Sequence, residues 1–302
     1  MAKRSTRRLR TNEERLVEQS VLGEVSSPVS GGTWRVGPDG AASILPGVGG
    51  ITYNCKVGDS AVEWEADHVE PGVSVKNEKT DRNTALNTLA CVGNIAHVVS
   101  GDAKGETGVV TGKHGGIEHV LADFPDTVLE KLVIGDKIQV RACGLGLKLI
   151  DLPHVALMNL DPALLKKMVP VRDGERLRVR VTCVIPAAVM GSGLGRAHTF
   201  SGDYDIQLFD PDVVAEHGLA NLRLGDIVAV RDADHTFGRI YKRGAMSIGI
   251  VVHSCCKTAG HGPGLTSLMS SADGQIVPDV DPSANIAQYL KIGRKRPKRR
   301  GK

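Results

Sequence analysis

The sequence predicts a mainly β fold, built of β-barrel-like or sandwich-like lobes with a few short helices, and therefore α+β overall. Three observations support this. Apolar runs are short and are broken by Gly, Pro, Asn and Asp. Aromatic residues make up 3% and glycines number 36, so the core must rely on aliphatic side chains and the backbone must turn often. A Gly-Asp turn leads into a strand twice, in residues 132–141 and 222–231.

The two copies of the Gly-Asp turn suggest two related β-rich lobes with a seam near residues 150–170. A chain of 302 residues is long enough for one large domain or two ordinary ones. We therefore divide it into a basic flexible arm (1–18), an N-terminal lobe (19–155), a C-terminal lobe (156–285) and a basic tail (286–302).

Elements of the N-terminal lobe are predicted where short apolar runs end at turn residues. A segment of one or two helical turns is predicted over 85–92. Strands are predicted over 21–29, 95–99, 108–111, 119–123 and 137–142.

The C-terminal lobe combines predicted strands with two capped helices. The strands are 178–185, 227–231 and 246–253. One short helix follows Asp161-Pro162 and another runs from Asp210-Pro211 to Gly218, because Asp caps helices and Pro fits their first turn.

Positive charge is concentrated at the two ends of the chain. Residues 1–10 carry five basic side chains, residues 291–302 carry eight, and neither stretch has an acid. The rest has 25 basic and 34 acidic side chains. A region with this excess of negative charge does not attract phosphate backbones, so nucleic acid is an expected partner only through the tails. Blocks of like charge are usually solvated ends.

Composition also predicts a cytoplasmic location. There is no apolar run of 18 residues, so no membrane span is expected. Glu13 and Glu14 stand where a signal peptide needs apolar residues. The six cysteines lack C-x-x-C spacing and are expected to be reduced thiols. Few aromatics and many short strands are compatible with a homo-oligomer.

The first polar segment is residues 67–72. Strand alternation would place His68 and Glu70 on one face, where they could hold a divalent cation or pass a proton. The alternative is a hydrogen-bonded surface turn.

The second polar segment, residues 101–119, is dense in acids, lysines and histidines. Gly115 and Gly116 lie between His114 and His119, so the chain can fold back and direct both imidazoles to one spot. Histidine is the commonest metal ligand. The alternative is an exposed glycine-rich hairpin.

These residues predict a centre with Zn²⁺ or Mn²⁺, held by His114, His119 and one acid, either Asp102 or Glu118. Glu118 could instead act as a general base. Lys104 or Lys113 would stabilise developing negative charge.

The third polar segment, residues 251–264, ends an apolar strand at His253. His261 follows in a Gly/Pro loop and could serve as proton donor or second-site ligand. Cys255 or Cys256 beside Lys257 could be an activated thiolate, or an inert buried pair. A second candidate cluster thus contains His68, Glu70, His253 and Cys255.

Two further segments lack the full pattern of a ligand-binding motif. Residues 191–195 resemble a phosphate loop but lack its lysine and a following helix, so no nucleotide cofactor is expected. Asp203, Asp205, Asp210 and Asp212 miss the spacing of a calcium-binding EF-hand.

Several segments carry resemblances to known families. Residues 101–110 resemble the KOW motif of ribosomal and elongation proteins, but the acidic body argues against RNA. Residues 44–47, 100–119 and 260–264 together resemble a prokaryotic domain-of-unknown-function family, number forty-four thirty-eight, which implies a β-rich fold. Residues 67–72 resemble a segment of acetamidase/formamidase-type amide hydrolases.

Three functions are consistent with these residues. The leading one is a metal-assisted hydrolase of a small amide, cyclic amide or lactone. The second is a metal-free lyase or isomerase using His114 and Lys113 as acid and base. The third is a binding protein whose basic tails engage anions.

Overall fold

The computed structural model describes residues 9–29, 34–195 and 198–294, and it confirms a mainly β fold with a few short helices. The predicted basic arm and tail therefore lie partly outside the described residues. Among those that are described, no helix is long and apolar enough to cross a membrane.

Short strands alternate with turns along both halves of the chain. In the N-terminal half they are β1 (Gln19–Val25), β2 (Arg35–Val36), β3 (Ala42–Ser43), β4 (Ile51–Thr52), β5 (Gly72–Lys76), β6 (Ile95–Val98), β7 (Thr107–His114), β8 (His119–Asp123) and β9 (Lys137–Ala142). In the C-terminal half they are β10 (Ala156–Leu157), β11 (Val171–Asp173), β12 (Arg176–Val181), β13 (Val184–Pro186), β14 (Tyr204–Asp205), β15 (Ile227–Asp234), β16 (Ile240–His253), β17 (Gly264–Ser271) and β18 (Ile276–Val280).

The helices of the described residues are short. They are α1 (Thr80–Leu89), α2 (Asp126–Leu129), α3 (Pro162–Met168), α4 (Pro211–His217) and α5 (Ile286–Leu290). Both predicted Asp-Pro helix starts are confirmed, because Asp161 accepts a hydrogen bond from the N–H of Ala163 and Asp210 accepts from two backbone N–H groups of α4.

The N-terminal strands close into a barrel. The order β1-β9-β6-β7-β8-β5 is completed by pairing of β5 with β1, and β4 adds to β5. The predicted strands over 119–123 and 137–142 match β8 and β9. Inward-facing aliphatic side chains such as Val73, Val110 and Val140 are fully buried and fill the interior.

The C-terminal strands form a sheet in the order β10-β17-β16-β15-β13, with β14 pairing to β17. A smaller sheet, β11-β12-β18, lies beside it. The predicted strand over 178–185 is interrupted at residues 182–183 and becomes β12 and β13, which belong to different sheets.

The repeated Gly-Asp turn has the same local geometry in both lobes. Gly135 and Gly225 have positive φ angles of 90° and 83°. The following aspartates, Asp136 and Asp226, each accept a hydrogen bond from the N–H three residues earlier, at 3.0 and 2.9 Å. Each turn leads into a strand, as the sequence predicted.

Strand β7 of the barrel packs against the C-terminal sheet. The Lys113 N–H donates to Thr266 Oγ1 at 3.1 Å, and that hydroxyl donates back to the Lys113 carbonyl at 3.0 Å. Gly112 makes this approach possible, because a Cβ there would lie 2.2 Å from a methyl of Val252. The junction therefore brings the end of β7 beside the end of β16.

Candidate functional site

The three polar segments meet at the junction of barrel and sheet, around a cavity of about 470 Å³. Strand β7 contributes His114 and β8 contributes His119, while His253 ends β16. The loops before β5 and β17 carry His68 and His261. The members of this histidine–carboxylate cluster are Asp67, His68, Glu70, His114, His119, Asp203, Asp205, His253, Cys256 and His261.

Glu70 is the centre of the barrel side of the cluster. Its carboxylate accepts from Nδ1 of His114 at 2.5 Å and from Nδ1 of His119 at 3.0 Å. It also accepts from the N–H of Gly49 and the hydroxyl of Ser74. Burial alone would raise the pKa of Glu70, but the two histidines outweigh burial and hold it well below its usual range.

His119 supports the site rather than facing the cavity. Its Nε2 lies 3.1 Å from the Ser26 hydroxyl while Nδ1 is bonded to Glu70, so both ring nitrogens are occupied. The ring is fully buried. His114 differs, because its Nδ1 is bonded to Glu70 but the residue lines the cavity and its Nε2 remains available for a ligand.

Asp203, which lines the cavity, forms a buried pair with His253. His253 Nε2 lies 2.7 Å from Asp203 Oδ2, yet the two atoms lack the alignment of a hydrogen bond and neither has another hydrogen-bond partner. His253 Nδ1 donates to the Ser254 carbonyl at 2.9 Å. His114 lies against this pair, with ring centroids of His114 and His253 4.1 Å apart.

Asp203 and Asp205 both point towards His253, since alternate residues of a strand share a face. Burial would lower the pKa of His253, but these carboxylates outweigh it and raise the pKa to about 10. Burial would likewise raise the pKa of Asp205, yet the neighbouring histidines hold it below its usual range. The cluster thus stabilises positive charge strongly.

His68, Asp205 and His261 form a second group at the mouth of the cavity. His261 Nδ1 lies 2.9 Å from Asp205 Oδ2 and 3.2 Å from His68 Nε2. His68 Nε2 lies 3.5 Å from Asp205 Oδ2. His68 Nδ1 donates to Asp67 at 3.0 Å. Asp67 also accepts from Arg35 and from the thiol of Cys256.

Other predicted site residues lie away from the cavity. Asp102 and Lys104 are exposed in the turn before β7, at the opposite end of that strand from His114. Lys113 is fully buried and points away from the histidines, donating to the Asn159 side chain and the Phe200 carbonyl, both at 2.7 Å. The backbone carbonyl of Glu118 accepts from two asparagines of α1.

The cysteine pair separates into two different environments. Cys256 is buried and its thiol lies 2.8 Å from Asp67 Oδ1, whereas the thiol of Cys255 donates to the adjacent Cys256 carbonyl at 3.5 Å. Burial raises the pKa of the Cys255 thiol, which opposes thiolate chemistry there.

Sequence reasoning missed Asp67, Asp203 and Asp205 as parts of this cluster. The sequence does contain a signal for Asp203 and Asp205. The alternation Asp203-Tyr204-Asp205 places both carboxylates on the same face of an extended segment. Their histidine partners lie about 50 residues away in the chain, so only the fold reveals the pairing.

A larger cavity of about 1300 Å³ lies elsewhere, between the N-terminal segment and residues 142–157. Its lining combines apolar residues with Glu14, Arg15 and Lys148, and none of the cluster histidines borders it.

Comparison with known proteins identifies a family. Residues 34–166 match the N-terminal model, and residues 167–290 the C-terminal model, of "Domain of unknown function (DUF4438)". The chain belongs to this family. A solved structure described as "Crystal structure of TM1086" has a TM-score of 0.90 and 48% identity, covering 93% of this chain and 99% of its own. No curated protein matches.

Proposed function

We propose that this DUF4438 protein is a metal-dependent hydrolase of a small amide, cyclic amide or lactone. Its divalent cation, Zn²⁺ or Mn²⁺, would be held by His114, Asp203 and His253. The observation that carries the proposal is the buried His253–Asp203 pair, whose facing atoms have no hydrogen-bond partner while His114 lies against them. Buried polar atoms without partners require an explanation, and a bound ion is one.

The orientation of the histidines supports this assignment. Metal-binding histidines usually donate their second ring N–H to a carboxylate or a backbone carbonyl. His114 donates to Glu70 and His253 donates to the Ser254 carbonyl, so both rings are fixed with Nε2 left for the cation. The ligand atoms of His114, Asp203 and His253 lie within 4.8 Å of one another.

The surroundings of the cluster fit hydrolysis of a small molecule. A cation held here would lower the pKa of a water molecule towards neutrality. The cavity of about 470 Å³ is within the range of small-ligand sites. Arg35 and Thr258 also line this cavity and can orient polar groups of a substrate. The segment resembling acetamidase-type hydrolases, residues 67–72, supplies Glu70 and His68 to the cluster.

The alternative of a metal-free lyase or isomerase receives less support. It requires Lys113 to act with His114, but Lys113 Nζ is fully buried and donates to Asn159 and Phe200 on the other side of β7.

A cytoplasmic location stays part of the proposal, supported by six free cysteines.

The test combines metal analysis with chelation. The purified full chain is expected to contain Zn²⁺ or Mn²⁺, to lose hydrolysis of small amides or lactones on dialysis against a chelator, and to regain it when the metal returns. His253→Ala should lose both metal and activity, while His217→Ala, on exposed helix α4, should keep both. An active preparation with less than ~0.2 metal per chain would overturn the proposal, since catalysis needs occupied sites.

A further inference from the structure

We infer that the mouth of the cavity is a second divalent-cation site, formed by His68, Asp205 and His261, and that Asp205 bridges it to the first site. The inference rests on the proposed function for the first site. It adds a two-cation centre, in which one cation can polarise a substrate carbonyl while the other activates water.

The three ligand atoms of this second site have the separations that a metal requires. The distances are 3.2 Å between His68 Nε2 and His261 Nδ1, 2.9 Å between His261 Nδ1 and Asp205 Oδ2, and 3.5 Å between Asp205 Oδ2 and His68 Nε2. Ligands about 2.0–2.1 Å from a tetrahedral Zn²⁺ are roughly 3.3 Å from one another. These atoms therefore outline one face of a tetrahedron.

The facing nitrogens of His68 and His261 are oriented so that both can bind one cation. His68 Nδ1 donates to Asp67, so Nε2 presents a lone pair to the mouth when the ring is neutral. The carboxylate of Asp67 is in turn fixed by Arg35 and by the Cys256 thiol. Such carboxylate support behind a histidine is typical of metal ligands.

Asp205 links the two sites through its two oxygens. Oδ2 lies 2.9 Å from His261, whereas Oδ1 lies 3.5 Å from His253 Nε2. The rings of His68 and His253 have centroids 5.0 Å apart. Two-cation hydrolytic centres hold their ions about 3.5–4 Å apart, a separation that one carboxylate spans.

The experiment measures how many cations the full chain binds. The metal-free protein is titrated with Zn²⁺, and after removal of excess metal the stoichiometry is measured. We expect two ions per chain in the wild type, one in His261→Ala, and two in His217→Ala as the matched control. Because His261 is one-third exposed, its removal should leave the fold intact, which circular dichroism checks.

A spectroscopic measurement tests the bridge. Wild-type protein loaded with Mn²⁺ should give the electron paramagnetic resonance signal of a coupled pair, and His261→Ala that of an isolated ion. One Zn²⁺ per chain in both wild type and His261→Ala would overturn the second site and leave the proposed function standing. No bound metal in the wild type would overturn both.

Discussion

The two ends of the β7–β8 hairpin carry similar polar residues in different surroundings. At one end, His114 and His119 are buried around the carboxylate of Glu70. At the other end, the turn before β7 exposes Asp102 and Lys104 to solvent. The sequence is equally rich in reactive groups at both ends. Shared burial with a partner, rather than density of charged residues, therefore distinguishes the candidate site.

Two buried carboxylates also differ between the two ends of the hairpin. Glu70 lies at the end that holds His114 and His119, and Asp123 lies at the opposite end of β8. Burial would raise the pKa of both, but only Glu70 has histidine partners, which hold its pKa well below the usual range. Burial raises the pKa of Asp123 to about 6, although the Gly293 N–H and Lys56 partly oppose it. Burial of a carboxylate is therefore accompanied by a lowered pKa at Glu70 and a raised pKa at Asp123.

The largest expected effect on stability comes from removing Glu70, the carboxylate that His114 and His119 share. Glu70→Ala should lower the free energy of unfolding by about 3–5 kcal/mol, because it leaves buried, bonded histidines without their carboxylate. Exposed Glu106, in the turn before β7, is the matched control, and Glu106→Ala should change stability by no more than about 0.5 kcal/mol. Urea unfolding measures both. Equal effects would contradict the contrast between the two ends.

A smaller effect is expected at Asp123, with a defined dependence on pH. A folded-state pKa of about 6 exceeds the unfolded value near 3.9, so stability from this group is full below about pH 4 and is lost as the pH rises through 6. Asp123→Asn should therefore match the wild type near pH 4 and exceed it by roughly 2 kcal/mol at pH 8.

Unfolding at pH 4.5, 6 and 8 checks this prediction, with Asp102→Asn as the exposed control. A gain for Asp123→Asn that is constant across this range would show that the carboxyl group ionises with an ordinary pKa.

The smallest effects are expected in the exposed turn. Asp102→Asn and Lys104→Met should each change stability by no more than about 0.5 kcal/mol and leave Zn²⁺ affinity unchanged. Competition with a chromophoric chelator measures the affinity. A tenfold loss of Zn²⁺ affinity in either variant would show that this turn contributes to the cation site, as the sequence predicts.

Local signals explain which parts of the fold could be predicted. The Asp-Pro caps of α3 and α4, the Gly-Asp turns before β9 and β15, and the bounds of β8 depend on residues close in the chain. Closure of the barrel through β1 and β5 does not, because their paired residues are about 50 positions apart. Periodicity alone cannot specify such pairing.

The candidate site likewise combines features that neighbouring residues predict with contacts that only residues distant in the chain supply. The glycines at 115 and 116 indicated from sequence that His114 and His119 would turn towards one point, and both bond to Glu70. Proximity in the chain favours Asp102 and Glu118 as the acids. The acids that contact His114, His119, His253 and His261 are Glu70, Asp203 and Asp205, which long-range packing brings in.

Composition and neighbours a few residues apart suffice to predict the β-rich class, the capped helices, the family resemblance and the histidine-rich segments. Long-range packing sets which imidazoles share a carboxylate, turns Lys113 away from them, and brings His253 and Asp203 together without a hydrogen bond. Those outcomes depend on the contact of the barrel with the C-terminal sheet, where Gly112 allows β7 to approach Val252.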